Sequence, residues 1–204
     1  MLPNRVQFLF DFGSPNAYLS HRALPVFEAR IGHTFEYIPV LLGGVFKATG
    51  NVSPAISMQG IKNKPAYAAL ETRRFIARHN IEGFRANPHF PVNTLLIMRG
   101  AVAAAHEGCF ARYVDEVFRH MWSDPKKMDD PEIVRSALAA SDLPAERLIA
   151  ATSDPEIKSE LIANTEDAVA RGVFGSPSFF VDDEHFFGKN SLQELEDEIL
   201  SGAT

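Results

Sequence analysis

Cys109 is the only cysteine in 204 residues. One thiol cannot close an intramolecular disulfide, so a reducing, cytoplasmic setting is expected. Positive charge is also short. Twenty Lys and Arg face 26 Asp and Glu, for a net charge of -6. That excludes the broadly basic surface of a nucleic-acid binder, and no nucleic-acid partner is expected. No apolar run approaches the ~20 residues of a membrane-spanning helix, so no membrane partner is expected either. Met1 to Arg5 lead straight into an apolar strand, which argues against a signal peptide. His79, His106 and His120 lack metal-ligand spacing with one another. Gly43-Gly44 is too short for a phosphate loop. Repeats and low-complexity tracts are absent.

The composition that remains is ordinary for a globular protein, with 46% hydrophobic and 23% charged residues. The length suits one domain, or a core domain carrying an insertion. Residues 5–12 read as a buried strand and 15–31 as a helix closed by Gly32. Residues 34–40 read as a second strand. Together they make a β-α-β unit of the length a parallel crossover requires. Residues 45–60, with Gly50, Asn51, Ser53, Pro54 and Gly60, read as a loop. Helices follow at 65–80, from Asn93-Thr94 to Ala105, at 109–122, and after Asp130-Pro131, Leu143-Pro144 and Asp154-Pro155. Residues 87–92 form a proline-punctuated linker. Strands return at 178–181 and 184–187 around an Asp182-Asp183 turn, and Ser191 caps a last helix. The order is β-α-β, a helical insertion, then α-β-β-α.

Ser14 stands where the first strand delivers the chain to a helix. Ser is a favoured N-cap and Pro15 suits the first helical position. Unpaired N–H groups and the positive end of the helix dipole meet there, which favours an anion. Ser14 is therefore either a simple cap or a site residue. Ser176-Pro177 is either a strand-opening trans proline or a cis bond facing that helix end. Lys64 is either a solvated lysine or a partner for a carboxylate. Cys109 reads as a small buried hydrophobe and Trp122 as a core or dimer residue. Asp182-Asp183-Glu184 reads as a hairpin turn before a metal site.

The element order is that of an α/β thioredoxin-like fold with an all-helical insertion. Asp11-Phe12-Gly13-Ser14-Pro15-Asn16-Ala17-Tyr18-Leu19 resembles the opening of 2-hydroxychromene-2-carboxylate isomerases and of the related kappa-class glutathione transferases. Gly172-Val173-Phe174-Gly175-Ser176-Pro177-Ser178-Phe179 is similar to their loop before the third strand. Phe186-Phe187-Gly188-Lys189-Asn190-Ser191-Leu192 is similar to their glutathione-anchoring loop. Phe90-Pro91-Val92-Asn93-Thr94 and Lys64-Pro65-Ala66-Tyr67 resemble parts of their helical domain. The resemblance implies a thioredoxin-like domain of residues 1–44 and 173–204, with residues 45–172 as the insertion.

The resemblance further implies a glutathione cosubstrate with its sulfur over Ser14. A free thiol, with pKa near ~8.5, is mostly protonated at neutral pH. A hydroxyl donor at a helix N-terminus favours the thiolate. Ser14 would activate a sulfur supplied by the cosubstrate, with Pro177 cis and the Ser176 backbone pairing with the tripeptide. Ser14-Pro15-Asn16-Ala17 also lacks the Cys-x-x-Cys of a disulfide oxidoreductase on this fold. Relatives carry Asp-Arg where this chain has Asn190-Ser191. Asn190 keeps hydrogen bonding without charge, Ser191 offers a hydroxyl and an N–H, and Lys189 either supplies the lost cation or is solvated. Lys64 would face a carboxylate, with Asn51, Phe46 and Asn93 as weaker candidates. Phe12, Phe46 and Phe174 would wall an apolar substrate pocket. The implied function is glutathione-dependent isomerisation of 2-hydroxychromene-2-carboxylate, or a similar intermediate of aromatic catabolism, by a homodimer. The alternatives are a kappa-like transferase or peroxidase, and a thioredoxin-fold binding module without turnover.

Overall fold

A computed structural model describes Pro3 and residues 5–202. The expectation about the N-terminus rests partly on Met1, Leu2 and Asn4, which lie outside the described residues. A four-stranded sheet has the order β2-β1-β3-β4. Its strands are β1 (Val6–Phe10), β2 (Glu36–Pro39), β3 (Ser178–Val181) and β4 (Glu184–Phe187). β1 and β2 run parallel, with Phe8 opposite Tyr37. β3 is antiparallel to β1, with Phe8 opposite Phe179, and β4 is antiparallel to β3. The parallel pair is joined by α1 (Pro15–Ile31), the crossover that parallel strands require.

The strand β1 explains its own apolar run, because it is buried along its whole length. One face carries Phe8, stacked on Phe179, and Phe10, edge-to-face with Phe12, both at centroid distances of 5.2 Å. That cluster continues into α1, α10 (Leu192–Gly202) and the helical block. The other face carries Leu9 with Val40, Val45, Ala168, Val173 and Phe180.

The helical block contains α4 (Lys64–Arg78), α5 (Leu95–His106), α6 (Phe110–Trp122), α7 (Pro131–Ala140), α8 (Ala145–Ala151) and α9 (Pro155–Ala170). In α5, Gly100 lies against Tyr113, whose hydroxyl donates to the Ile97 carbonyl at 2.9 Å. A Cβ at Gly100 would stand 2.1 Å from the Tyr113 oxygen, so the alanine-rich helix needs a glycine there.

Residues 45–60 are not a loop throughout. They include most of α2 (Leu42–Thr49) and the short α3 (Pro54–Ser57). Two glycines, each about 1 kcal/mol worse than alanine in a helix, mask α2 in the sequence. Tertiary contacts hold it: Val45 is buried in the second cluster, and the Leu42 N–H donates to Asp11 at 2.7 Å. The expected boundary at 44/45 falls inside α2. The boundary at 172/173 leaves α9 with the insertion, although Ala168 of α9 packs against Leu9 and Phe180 of the sheet. Among the described residues, no helix is long and apolar enough to cross a membrane.

Candidate active site

Ser14 is the N-cap of α1, in extended geometry, with its Oγ accepting from the Ala17 N–H at 3.2 Å. Its hydroxyl donates to the Ser176 carbonyl at 2.8 Å. The Ser176-Pro177 bond is cis. The Ser176 hydroxyl oxygen in turn accepts from the Asp11 N–H at 3.1 Å. Two residues 162 positions apart are thus drawn together, and the Ser14 hydroxyl bridges the helix end and the loop before β3. Ser14 is 5% exposed, and Pro15 and Asn16, which open the helix, are half-buried.

Asp11 is the member of this junction that sequence reasoning missed. Its side chain is fully buried, yet its carboxylate gathers three donors. The Gly13 N–H reaches Oδ1 at 2.8 Å, while the Leu42 N–H and the Thr94 hydroxyl reach Oδ2 at 2.7 and 3.0 Å. One carboxylate therefore ties the Ser14 turn to the starts of α2 and α5. Burial pushes the Asp11 carboxyl above its ordinary pKa, against the pull of the three donors. The one available signal was an acidic residue inside the aromatic run Phe10-Asp11-Phe12. Gly13 must stay small, since a Cβ there would meet Thr94 Cγ2 at 3.1 Å and Asp11 Oδ1 at 3.2 Å.

The loop before α10 departs from expectation. Lys189 is neither solvated nor a free cation: it is 3% exposed, and its Nζ lies 2.9 Å from Glu71 Oε1. The ammonium also sits 5.5 Å above the Phe75 ring. Asn190 is exposed and its Nδ2 donates to the same Glu71 oxygen. The Ser191 hydroxyl turns inward and donates to the Gly188 carbonyl at 2.8 Å. Glu71 of α4, unremarked in the sequence, thus latches the loop to the helical block. Burial pushes the Glu71 carboxyl up, but the bonds from Lys189 and Asn190 outweigh it and hold the carboxyl below the usual range.

Lys64 opens α4 and is exposed, and its side chain has no ion pair or hydrogen bond among the described residues. Asn51 donates to the Phe174 carbonyl at 2.7 Å, which brings the segment after α2 to the loop before Pro177. Phe174 is 41% exposed and packs on Phe187 at 4.4 Å. Phe46 is half-buried. The Asn93 side chain accepts from the Leu95 N–H at 3.1 Å.

Phe12 does not wall a pocket. Its ring is fully buried against Phe118, and its carbonyl accepts from the Trp122 indole at 2.7 Å. Trp122 is itself a core residue. Burial pushes the Cys109 thiol up, away from a reactive thiolate. No cluster of metal-ligating side chains occurs among the described residues.

Comparison with known proteins agrees with the fold. A 2-hydroxychromene-2-carboxylate isomerase from Pseudomonas putida is 30% identical over 195 residues, covering 94% of this chain and 92% of its own. Human glutathione S-transferase kappa 1 is 24% identical over 190 residues, covering 86% and 80%. A solved 2-hydroxychromene-2-carboxylate isomerase superposes with a TM-score of 0.82 at 26% identity, over 97% of this chain and 95% of that one. The DSBA-like thioredoxin domain family matches residues 5–200. The chain belongs to the DSBA-like thioredoxin domain family and, within it, to the family of 2-hydroxychromene-2-carboxylate isomerases.

Proposed function

We propose that this chain is a glutathione-dependent isomerase acting on 2-hydroxychromene-2-carboxylate or a similar aromatic intermediate. The observation that carries the reading is the Ser14 hydroxyl, held at the N-terminus of α1 against the cis Ser176-Pro177 loop. The glutathione sulfur would lie over Ser14. At rest the hydroxyl donates to the Ser176 carbonyl. A thiolate is a charged acceptor and makes the stronger bond, so the proton would swing to it. The helix dipole adds to that preference for S⁻. The Ser176 backbone would pair with the tripeptide, and Lys64 would meet a carboxylate of glutathione or substrate. Asn190 and Ser191 would serve the γ-glutamyl end, while Lys189 would act through Glu71 rather than as a free cation.

In the reaction the thiolate adds to the conjugated carbon system and a C–S bond forms. The pyran hemiketal opens, and the former double bond becomes single and rotates. Elimination then breaks the C–S bond, restores the double bond and returns the thiol. No electrons are gained or lost overall. The thioredoxin-like part would carry the thiol, and the helical block would cover the substrate. We take the protein to be a cytoplasmic homodimer.

The test is to supply glutathione and 2-hydroxychromene-2-carboxylate and follow both. Product at constant thiol supports isomerisation. Stoichiometric thiol loss overturns it in favour of transfer, the reading favoured by the kappa-class relative. Neither turnover nor glutathione binding leaves only a binding module. Ser14→Ala should still fold and bind glutathione. Loss of one hydrogen bond to a charged sulfur, worth about 1.5–3 kcal/mol, should raise the bound-thiol pKa by about 1–2 units. Turnover should fall about 10–100-fold, and unchanged turnover would remove Ser14 from the mechanism.

A further inference from the structure

A concavity lies between α2, α5 and α9, and it shares no lining residue with the Ser14 junction or the 188–191 loop. Its volume is about 540 Å³, within the range of small-molecule sites. The spacing along α9 explains it. Lys158, Leu161, Ile162, Thr165, Glu166 and Val169 recur at three- and four-residue intervals, so one stripe of the helix faces the groove. Ile162 remains 55% exposed there, a large apolar side chain left uncovered.

Charge decides what the groove suits. Lys47 of α2, Arg99 of α5 and Lys158 of α9 line it from three helices. Arg99 and Lys158 are half-buried. Among the described residues, none of these three side chains has an ion pair or hydrogen bond. Glu166 is the one acidic residue in the lining. The groove thus carries a surplus of positive charge in a chain whose net charge is -6. Apolar walls with unpaired cations match a molecule with an apolar body and an anionic head. Arg99 offers a planar fork suited to a carboxylate or a phosphate.

The geometry points to a binding site in this groove for a small amphipathic organic anion, its apolar body against Leu161, Ile162 and Val169 and its head met by Lys47, Arg99 and Lys158. The site is independent of glutathione and of the isomerase reading.

Calorimetric titration of the intact protein with octanoate tests the proposal, with octanol as the neutral control and octyl phosphate to distinguish the head group. One octanoate or octyl phosphate should bind per chain, with octanol weaker by about tenfold or more. The Arg99→Glu/Lys158→Glu double variant should lose about tenfold or more in anion affinity while keeping its circular dichroism. Ala48→Trp should obstruct the groove and weaken binding without altering charge. Ser14→Ala should bind the anions as the parent does. Equal affinity for octanol overturns the proposal, as do wild-type affinity in both groove variants or loss of binding in Ser14→Ala. Failure of the anions to bind, with charge reversal shifting the sedimentation of the protein, would give the groove to a second copy of the chain instead.

Discussion

The Ser14 junction and the 188–191 loop are each organised by one carboxylate, and the two carboxylates work by opposite means. Asp11 is fully buried, has no cationic partner among the described residues and is satisfied by two backbone N–H groups and a threonine hydroxyl. Glu71 is partly exposed and is held by the Lys189 ammonium and the Asn190 amide. The first ties a turn to two helix starts. The second ties a loop to one helix face. Burial wins at Asp11 and raises its carboxyl, whereas pairing wins at Glu71 and lowers it. Fixed neutral donors position a buried group without supplying a countercharge, while an ion pair supplies the countercharge at a surface that water still reaches.

The largest effect is expected from Asp11→Ala. It strands the Gly13 and Leu42 N–H groups and the Thr94 hydroxyl, each costing about 1–3 kcal/mol when buried unpaired. A total loss of about 3–5 kcal/mol should appear as a lower urea midpoint. A loss below about 1 kcal/mol would mean that Asp11 does not hold the junction together.

Glu71→Ala comes next. It leaves the nearly buried Lys189 ammonium without its partner, but Glu71 is about one-third exposed and water offsets part of the cost. About 1–2 kcal/mol is expected. If Glu71 positions the loop for glutathione, affinity should fall further than stability does, which parallel titration and urea unfolding would separate.

Gly13→Ala should cost about 1 kcal/mol through its close approach to Thr94 and Asp11. A structure of that variant should show Thr94 displaced.

The smallest effect, and the sharpest contrast, is in pH. The Asp11 carboxyl is raised in the folded protein, so its contribution is present below the ordinary carboxylate pKa and is lost as pH rises through the folded value. The Glu71 carboxyl is lowered, so its contribution is present above the ordinary value and is lost as pH falls through the folded one. Lowering the pH from about 7 toward 4 should therefore increase the stability of the wild type relative to Asp11→Asn. Continuing toward about pH 3 should decrease it relative to Glu71→Gln. Urea midpoints at several pH values would show slopes of opposite sign, and slopes of the same sign would end the contrast.

The parts legible in advance were those whose chemistry is local. The starts of α1, α7 and α9 each show a cap followed by proline. The caps bond as such residues do: Asp130 accepts from the Glu132 N–H at 3.0 Å and Asp154 from the Glu156 N–H at 2.9 Å. The strand β1 was legible from an apolar run because burial on both faces leaves no alternation to detect. The helix α2 was not legible, because Gly43 and Gly44 disfavour the helix that Val45 and Asp11 nevertheless stabilise. Phe90-Pro91 reads locally as an extended linker, and nothing in the neighbouring residues announces that its bond is cis.

Sequence alone determined the order of the four strands and of the longer helices between them, the placement of Ser14 at a helix N-terminus and the absence of a second thiol. Each depends on residues within a few positions of one another. Only the tertiary structure decided what those residues touch. The Ser14 hydroxyl meets a carbonyl 162 residues away, Asp11 reaches Thr94 across 83, and Lys189 finds Glu71 across 118. Hydrogen bonds and ion pairs depend on distance in space, and at such separations along the chain only packing sets that distance.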